Sequence, residues 1–243
     1  MLSLSQVAKR YANGVEALSG LSFTVQDGAF VSLLGPSGCG KSTALRLIAG
    51  LSSPDAGEIR WSGARPDLGF VFQEPTLMPW ANALANARLP LDLRHLPRAP
   101  ADARASAALE RVGLGEFARA FPRELSGGMK MRVSIARALA AQPRLLLMDE
   151  PFAALDEPAR AALNDDLLRL WREDRMTVIF VTHSVSESTY LSQRVLVMTP
   201  RPGRIAADIA LTDLWTDGTP RDRLSPQFLE GQRLVSAAME KAA

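Results

Sequence analysis

The chain has 243 residues, 47% of them hydrophobic and 22% charged, which is ordinary for a globular protein of one or two domains. Its single cysteine, Cys39, excludes an internal disulfide framework and a cysteine-based zinc site. The net charge of +2 is a small basic excess and does not indicate nucleic-acid binding. No run approaches the roughly 18 apolar residues of a membrane span, and the first residues do not resemble a secretory signal, so we expect a cytosolic chain.

The N-terminal part of the chain predicts a small antiparallel sheet. Its β segments are 2–7, 17–25 and 58–61. Pairs that favour tight turns, each ending in glycine, stand at 13–14, 27–28 and 62–63.

The rest of the chain predicts an α/β core. Apolar runs without alternation, which are typical of parallel strands buried on both faces, occupy 30–34, 68–72, 145–148, 177–182 and 195–198. Helical patterns alternate with several of them, at 42–49, 129–141, 158–171 and 185–192.

Two segments depart from this alternation. The stretch from 74 to about 125 is rich in alanine, arginine and proline, and it predicts a helical insertion with helices near 80–89 and 101–112. The segment after 211 begins without a pattern and ends in a weakly amphipathic helix at 226–239. This last helix could pack on the core, mediate dimer contacts or hold a regulatory site.

A phosphate-binding loop is the most specific motif in the chain. The pattern G-x-x-x-x-G-K-[ST] is matched by Gly35, Pro36, Ser37, Gly38, Cys39, Gly40, Lys41 and Ser42, and Thr43 follows. Glycines let backbone N–H groups point at phosphate oxygens, and the next helix directs its positive end toward them. Lys41 is predicted to reach the β- and γ-phosphates and Ser42 to bind Mg²⁺. The alternative is a glycine-rich turn with an incidental lysine; for Cys39, a filler residue is weighed against a redox role.

A buried strand that ends in two carboxylates forms the second motif. The sequence L-L-L-M-D-E places Asp149 and Glu150 at the carboxyl end of the predicted strand 145–148. Such a pair suits a Mg²⁺ ligand, Asp149, and a base that polarises the attacking water, Glu150. Acidic residues at strand ends are common, so this pair alone would not indicate a nucleotide site. It does so here because a phosphate loop precedes it by about a hundred residues.

A second anion-binding site is predicted at Ser126, Gly127 and Gly128. They open the helical pattern 129–141, where backbone donors and the serine hydroxyl can meet a phosphate. The alternative is a plain N-cap with a flexible turn, because one nucleotide rarely needs two phosphate sites.

Together these motifs resemble the ATP-binding-cassette (ABC) ATPases. The shared sequences are GPSGCGKST, Gln73, LSGGM, LLLMDE, the A-L-D of 154–156 and His183, in the order and at the separations of that family. The resemblance covers about residues 1–210. It implies a head-to-tail dimer with two ATP molecules, each contacting the phosphate loop of one copy and Ser126, Gly127 and Gly128 of the other.

The resemblance also implies roles for single residues. Tyr11 matches the aromatic that stacks on adenine, although a plain core or turn aromatic is the alternative. Gln73, ending a strand, matches the residue that contacts Mg²⁺ and water and signals to the membrane partner. His183 matches the histidine near the γ-phosphate. Asp156 matches the acidic residue that communicates across the dimer, and it is also placed to cap the next helix.

Two departures and two further segments indicate a branch of the family. Met129 replaces the usual glutamine and Ser184 the usual aspartate. The sequences of 72–80 (FQEPTLMPW) and 194–205 are similar to importers of nitrate, sulfonates, taurine and thiamine precursors. An apolar cluster after Gln73 suits a coupling helix of a permease, or it merely packs the helical insertion. Its members are Leu77, Met78, Pro79 and Trp80.

We therefore expect an α/β P-loop NTPase of the ABC type, with a RecA-like parallel sheet, an N-terminal antiparallel β subdomain and a helical subdomain at about 74–141. The cassette is expected at 1–212 and a helical appendage at 213–243. The resemblance implies an ATP- and Mg²⁺-dependent motor at the cytoplasmic face of the inner membrane. Its expected partners are a second copy, permease subunits and, indirectly, an extracytoplasmic solute-binding protein, without nucleic acid. Alternatives are an export or lipoprotein-release cassette, a non-transport ABC ATPase and a P-loop kinase.

Overall fold

A computed structural model describes residues 1–215 and 221–242. It divides the chain into two compact units, one formed by Met1–Arg65 with Thr177–Ala243 and the other by Pro66–Met176. Residues 216–220 and 243 of the predicted appendage lie outside the described residues. The predicted boundaries at 74, 141 and 212 stay predictions.

The elements alternate between strands and helices along most of the chain. In order they are β1 (Leu2–Arg10), β2 (Glu16–Val25), β3 (Phe30–Leu34), α1 (Lys41–Ile48), β4 (Ala56–Trp61), β5 (Leu68–Val71), α2 (Ala83–Leu93), α3 (Arg98–Arg111), α4 (Gly127–Ala140), β6 (Leu145–Asp149), α5 (Glu157–Asp174), β7 (Thr177–Thr182), α6 (Val185–Leu191), β8 (Arg194–Met198), β9 (Ile205–Ala210) and α7 (Pro226–Ala242). Short 3₁₀ turns at Gly115–Phe117 and Pro122–Glu124 lie between α3 and α4.

The first unit contains two groups of paired strands. In the antiparallel sheet, β1 lies between β2 and β4, so that Leu2 pairs with Val25 on one side and with Trp61 on the other. In the other group, β3 pairs in parallel with β7 and β8, and β9 adds to β8 in the antiparallel sense. The five residues of β3 and the six of β7 are all buried, as expected for strands covered on both faces.

The helix at the end of the chain packs onto the first unit. Phe228 and Val235 of α7 are buried, and the Phe228 ring lies 6.2 Å from the Tyr190 ring and 6.4 Å from the Trp215 ring, measured between centroids. Leu229 and Leu234, on other faces of the helix, are exposed. Of the three open roles for this helix, core packing is therefore observed for one face.

The second unit combines two parallel strands with helices. β5 pairs with β6, so that Val71 lies beside Met148. The interior of this unit includes the fully buried side chains of Leu91, Leu109 and Phe152. None of the helices in the described part of the chain is both long and apolar enough to cross a membrane.

The structure differs from the predicted elements in their bounds and by one additional strand. The helix predicted near 80–89 begins at Ala83, because the side-chain oxygen of Asn82 accepts a hydrogen bond from the Ala85 N–H and caps the helix. The strand predicted at 68–72 ends at Val71. Strand β9 was not predicted; its burial alternates along the strand, and small residues dominate it.

A buried arginine joins α2 to α3 in the second unit. Arg88 has a side chain that is 8% exposed and bonds Asp92 at 2.9 Å and Asp102 at 2.5 Å. Hydrogen bonds from Arg88, and then from Arg98, hold the pKa of the Asp102 carboxyl below its usual range. The stabilisation from this carboxylate is therefore fully present above the unfolded-state pKa and is lost as the pH falls through the lowered folded-state pKa.

Replacing Arg88 by Met is expected to lower the free energy of unfolding by about 2 kcal/mol at pH 7, because the substitution removes charge-assisted hydrogen bonds. Urea unfolding of the full chain measures the effect. The difference from the wild type should shrink below pH 4, as Asp102 becomes protonated. The control is Arg94→Met, which removes an exposed pair with Asp67 and should cost under about 0.5 kcal/mol. Equal losses in both variants would contradict the special role of Arg88.

Candidate functional site

The phosphate-loop residues connect β3 to α1 in the first unit. Gly40 is the N-cap of α1 with a left-handed φ of 106°, and a Cβ there would lie 2.6 Å from the Ala17 carbonyl oxygen. Only glycine therefore fits this position without moving backbone. No acidic residue lies in the first turn of α1, so the positive end of the helix is not neutralised by its own side chains.

The lysine of the loop is folded into the loop itself. Lys41 is 3% exposed, and its Nζ donates to the carbonyl oxygens of Gly35 at 2.8 Å and Pro36 at 2.9 Å. The Cys39 N–H also donates to the Pro36 oxygen, at 3.3 Å. The loop thus holds a positively charged amine in its interior, bonded to two of its own carbonyl oxygens. Cys39 is buried, so the filler role is the one its position favours.

An aromatic side chain lies beside this loop in the same unit. The hydroxyl of Tyr11 is 3.0 Å from the Thr43 hydroxyl oxygen, one residue beyond Ser42. The Tyr11 side chain is 39% exposed, so it is not a core aromatic. This placement fits a ring that stacks on a flat ligand next to the loop.

His183 lies at the same sheet edge as the loop. Leu34, which precedes Gly35, pairs in parallel with Thr182, which precedes His183, so both functional segments leave neighbouring strands at their carboxyl ends. His183 is exposed. The Ser184 departure has a structural account, because its hydroxyl oxygen accepts from the Glu187 N–H at 3.2 Å and caps α6 as an aspartate would.

The two carboxylates lie in the second unit. Asp149 is the last residue of β6 and is 8% exposed, while Glu150 follows with a left-handed φ of 44°. Non-glycine residues rarely adopt this conformation, which costs of order 1–3 kcal/mol and recurs at functional sites. The neighbouring strand β5 ends at Val71, and Gln73 lies two residues beyond that end. The expectation that Gln73 ends the strand is therefore wrong.

The Ser-Gly-Gly segment opens α4 in the second unit. Ser126 is the N-cap, and its hydroxyl oxygen accepts from the Met129 N–H at 3.3 Å. A Cβ at Gly127 would come no closer than 3.9 Å to any neighbour, and one at Gly128 no closer than 3.8 Å. Packing within the chain therefore does not explain these glycines. Asp156 caps α5 through the Ala159 N–H at 2.9 Å, which confirms the predicted cap.

The segment that follows Gln73 is held by two side chains that were not predicted as functional. Asn86 is fully buried; its amide oxygen accepts from the Met78 N–H at 2.7 Å, and its amide nitrogen donates to the Met78 carbonyl at 3.2 Å. Arg137 donates to the carbonyls of Pro75 at 2.8 Å and Thr76 at 2.9 Å. The segment is thus fixed while Trp80, within it, is 77% exposed. No local sequence pattern marks Asn86 or Arg137.

Comparison with known proteins agrees with these features. The ABC transporter family matches residues 18–153. The chain is 43% identical to a taurine import ATP-binding protein of Rhizobium johnstonii, with 96% of this chain and 92% of the relative covered. It is 41% identical to a nitrate import ATP-binding protein of Synechocystis sp. (96% and 91% covered). It is 46% identical to an aliphatic sulfonates import ATP-binding protein of Pseudomonas syringae pv. syringae (88% and 85% covered).

A solved structure is also similar. It is a dimeric ATP-binding cassette in a post-hydrolysis state, bound to ADP and Pi. The two chains are 33% identical and superpose with a TM-score of 0.77, and the match covers 86% of this chain and 98% of the other. The phosphate loop and the carboxylates at a strand end are the features expected of the family that these comparisons identify. The chain therefore belongs to the ABC transporter family and is an ATP-hydrolysing subunit of an importer of that family.

Proposed function

We propose that this ATPase powers uptake of a small solute of the class that its relatives import. The observation that carries the proposal is the identity of 41–46% to three relatives named for nitrate, taurine and aliphatic sulfonates. Each of these solutes carries a compact nitrogen or sulfur oxyanion group. The expected thiamine-precursor substrate has no support among these three names. The cassette is the motor and does not contact the solute.

The nucleotide-binding roles follow from backbone chemistry. ATP phosphates would be held by N–H groups of Gly38, Cys39, Gly40 and Lys41, by the Lys41 amine, and by the first turn of α1 with Ser42 and Thr43. Gly35, Pro36 and Ser37 shape the loop. Tyr11 would stack on the adenine ring.

The hydrolytic roles belong to residues that follow strand ends. Glu150 would orient and deprotonate the attacking water, and His183 would contact the γ-phosphate region. In the first unit Ser42 offers a hydroxyl oxygen, and in the second Gln73 and Asp149 offer an amide and a carboxylate oxygen. Each is a kind of ligand that Mg²⁺ accepts beside phosphate and water. The metal, when bound, neutralises charge on the phosphate oxygens.

The Ser-Gly-Gly segment would serve the nucleotide of a second copy. Ser126 and Gly127 are exposed, and the open space around the glycines leaves room for a phosphate to approach the helix end. A head-to-tail dimer gives this segment a ligand, with Asp156 communicating between the copies. The 33% identical cassette is dimeric, which supports the pairing of two copies.

The segment from Glu74 to Trp80 would contact a permease at the cytoplasmic face of the inner membrane. Asn86 and Arg137 fix its backbone, so the exposed Trp80 is presented without a large ordering cost on binding. An extracytoplasmic binding protein would deliver the solute to that permease.

Glu150→Gln is expected to reduce ATP turnover at least about a hundredfold, the lower end of what a general base contributes, and to leave ATP binding intact. The reason is that glutamine keeps the shape but cannot accept a proton. Phosphate release at saturating ATP, with nucleotide binding by calorimetry, measures the two effects separately. Gln142, which also has a left-handed φ but no assigned role, supplies the control substitution Gln142→Ala. Undiminished hydrolysis by the Glu150 variant would overturn its assignment as the base.

Ser126→Arg should abolish hydrolysis, because the new side chain would block the nucleotide of the partner copy. The cap of α4 would also weaken by about 1 kcal/mol, so the matched control is Ser126→Ala, which loses the cap and the hydroxyl donor but adds no bulk. Mixing the Ser126→Arg chain with a Lys41→Ala chain tests the shared site. The mixed dimer keeps one complete site, so nucleotide trapping, absent in each variant alone, should return in the mixture. An active Ser126→Arg chain would refute the shared site.

Replacing Met78 and Trp80 together by Ala is expected to lower uptake of labelled taurine, ethanesulfonate or nitrate in cells at least fivefold while the isolated chain hydrolyses ATP normally. The loss follows from removing the apolar contacts of one central aromatic anchor, worth about 2 kcal/mol. Co-purification with the permease provides the direct measurement. Normal association of the double variant would assign the two side chains to packing of the helical segment alone.

A further inference from the structure

The turn between β8 and β9 reaches the phosphate loop, and the proposed roles do not account for it. Arg201 in this turn is exposed, and its Nε donates to the Gly38 carbonyl oxygen at 3.0 Å. A terminal nitrogen of the same guanidinium lies 3.0 Å from where a Cβ would stand on Gly38, whose φ is 75°. An arginine 163 residues distant in sequence therefore covers the outer side of the loop at one particular peptide.

That hydrogen bond determines where the next N–H group points. In a trans peptide the carbonyl and the following N–H point in opposite directions. The Gly38 carbonyl faces Arg201, and the Cys39 N–H faces the loop interior, where it donates to the Pro36 carbonyl at 3.3 Å. The same Pro36 oxygen accepts from Lys41 Nζ at 2.9 Å. The Cys39 N–H and the Lys41 amine therefore converge on one carbonyl oxygen inside the loop.

The turn that carries Arg201 is itself anchored against the loop. The Gly203 N–H donates to the Ala17 carbonyl at 2.9 Å, and the Ser19 N–H donates to the Gly203 carbonyl at 3.2 Å. A Cβ on Gly203 would lie 2.2 Å from the Cys39 carbonyl oxygen, so the turn and the loop are in direct backbone contact there. The backbone of the turn that carries the Arg201 guanidinium is therefore held in place.

We propose that Arg201 is a positioning residue of the phosphate loop. It holds the Gly38–Cys39 peptide in the rotation that directs the Cys39 N–H toward bound phosphate, so that this N–H need not be ordered when ATP binds. The inference rests on the proposed function, namely that this loop holds the phosphates of ATP. Arg201 acts through the peptide and has no part in the hydrolysis step, so its loss should weaken binding more than turnover.

The test uses the full chain, calorimetric binding of the slowly hydrolysed analogue ATPγS with Mg²⁺, and steady-state hydrolysis of MgATP. Arg201→Met keeps the apolar stem and removes the donors; it is expected to raise the Kd and the KM about tenfold, with kcat at saturation changed less than about twofold. Arg201→Lys, which can donate to the same carbonyl, should recover to within about threefold of the wild type. Arg204→Met is the matched control, because Arg204 leaves the same turn and donates to the Ser19 hydroxyl oxygen at 3.3 Å.

The variant Lys41→Ala distinguishes a failure of the Arg201 inference from a failure of the proposed nucleotide site. If Lys41→Ala loses ATPγS binding and Arg201→Met binds as the wild type does, the Arg201 assignment is overturned while the phosphate loop stands. If Arg201→Met and Arg204→Met lose kcat and melting temperature together, Arg201 is merely structural and the inference is also overturned. If Lys41→Ala binds ATPγS normally, both the inference and the proposed nucleotide site fail.

Discussion

Parallel pairing of neighbouring strands is the constraint on which the functional arrangement depends. Because parallel strands run in one direction, the segments that leave them do so at a common edge. In the first unit this rule places Gly35 and His183 after the adjacent residues Leu34 and Thr182. In the second, Gln73 follows β5 and Asp149 ends the adjacent β6. Side chains far apart in sequence thereby share an edge in each unit, and the buried apolar runs that form the strands fix this placement.

The second constraint concerns glycines at the start of a helix. Because glycine is costly there, some contact that excludes a side chain must account for its presence. Gly40 has such an explanation within the chain, because a side chain there would collide with the Ala17 carbonyl. Gly127 and Gly128 have none, since a Cβ at either would meet only ordinary contacts or open space. Glycine costs backbone entropy in a helix, so its use at the start of α4 implies a benefit from outside the chain. The proposed sharing of a nucleotide between two copies would supply that benefit.

Local patterns predicted the parts of the fold that local chemistry determines. The phosphate loop, the buried strands and the caps at Ser126 and Asp156 follow from residue types at fixed spacing, and the α/β cassette fold expected from them is confirmed by the solved relative. Strand β9 was missed because small residues and half-exposed positions give it little apolar signal. Asn86 and Arg201 were missed for a different reason. They bond carbonyl groups 8 and 163 residues away, and no pattern of residue types specifies either pairing.

Recognition of phosphate by backbone explains why the departures from the family pattern are compatible with activity. The donors proposed for phosphate at the start of α4 are N–H groups and the Ser126 hydroxyl, so the side chain at position 129 contributes none of them. Ser184 caps α6 as the usual aspartate would, so the backbone after His183 keeps its path.

The same reasoning limits what a motor subunit can reveal about its solute. Groups that bind phosphate are common to every such ATPase, whereas specificity for the solute must lie in chains that contact it. We therefore expect this chain to differ from cassettes of other importers in the segment from Glu74 to Trp80. Four of its residues are exposed, on a backbone that Asn86 and Arg137 hold in place: Glu74, Thr76, Pro79 and Trp80.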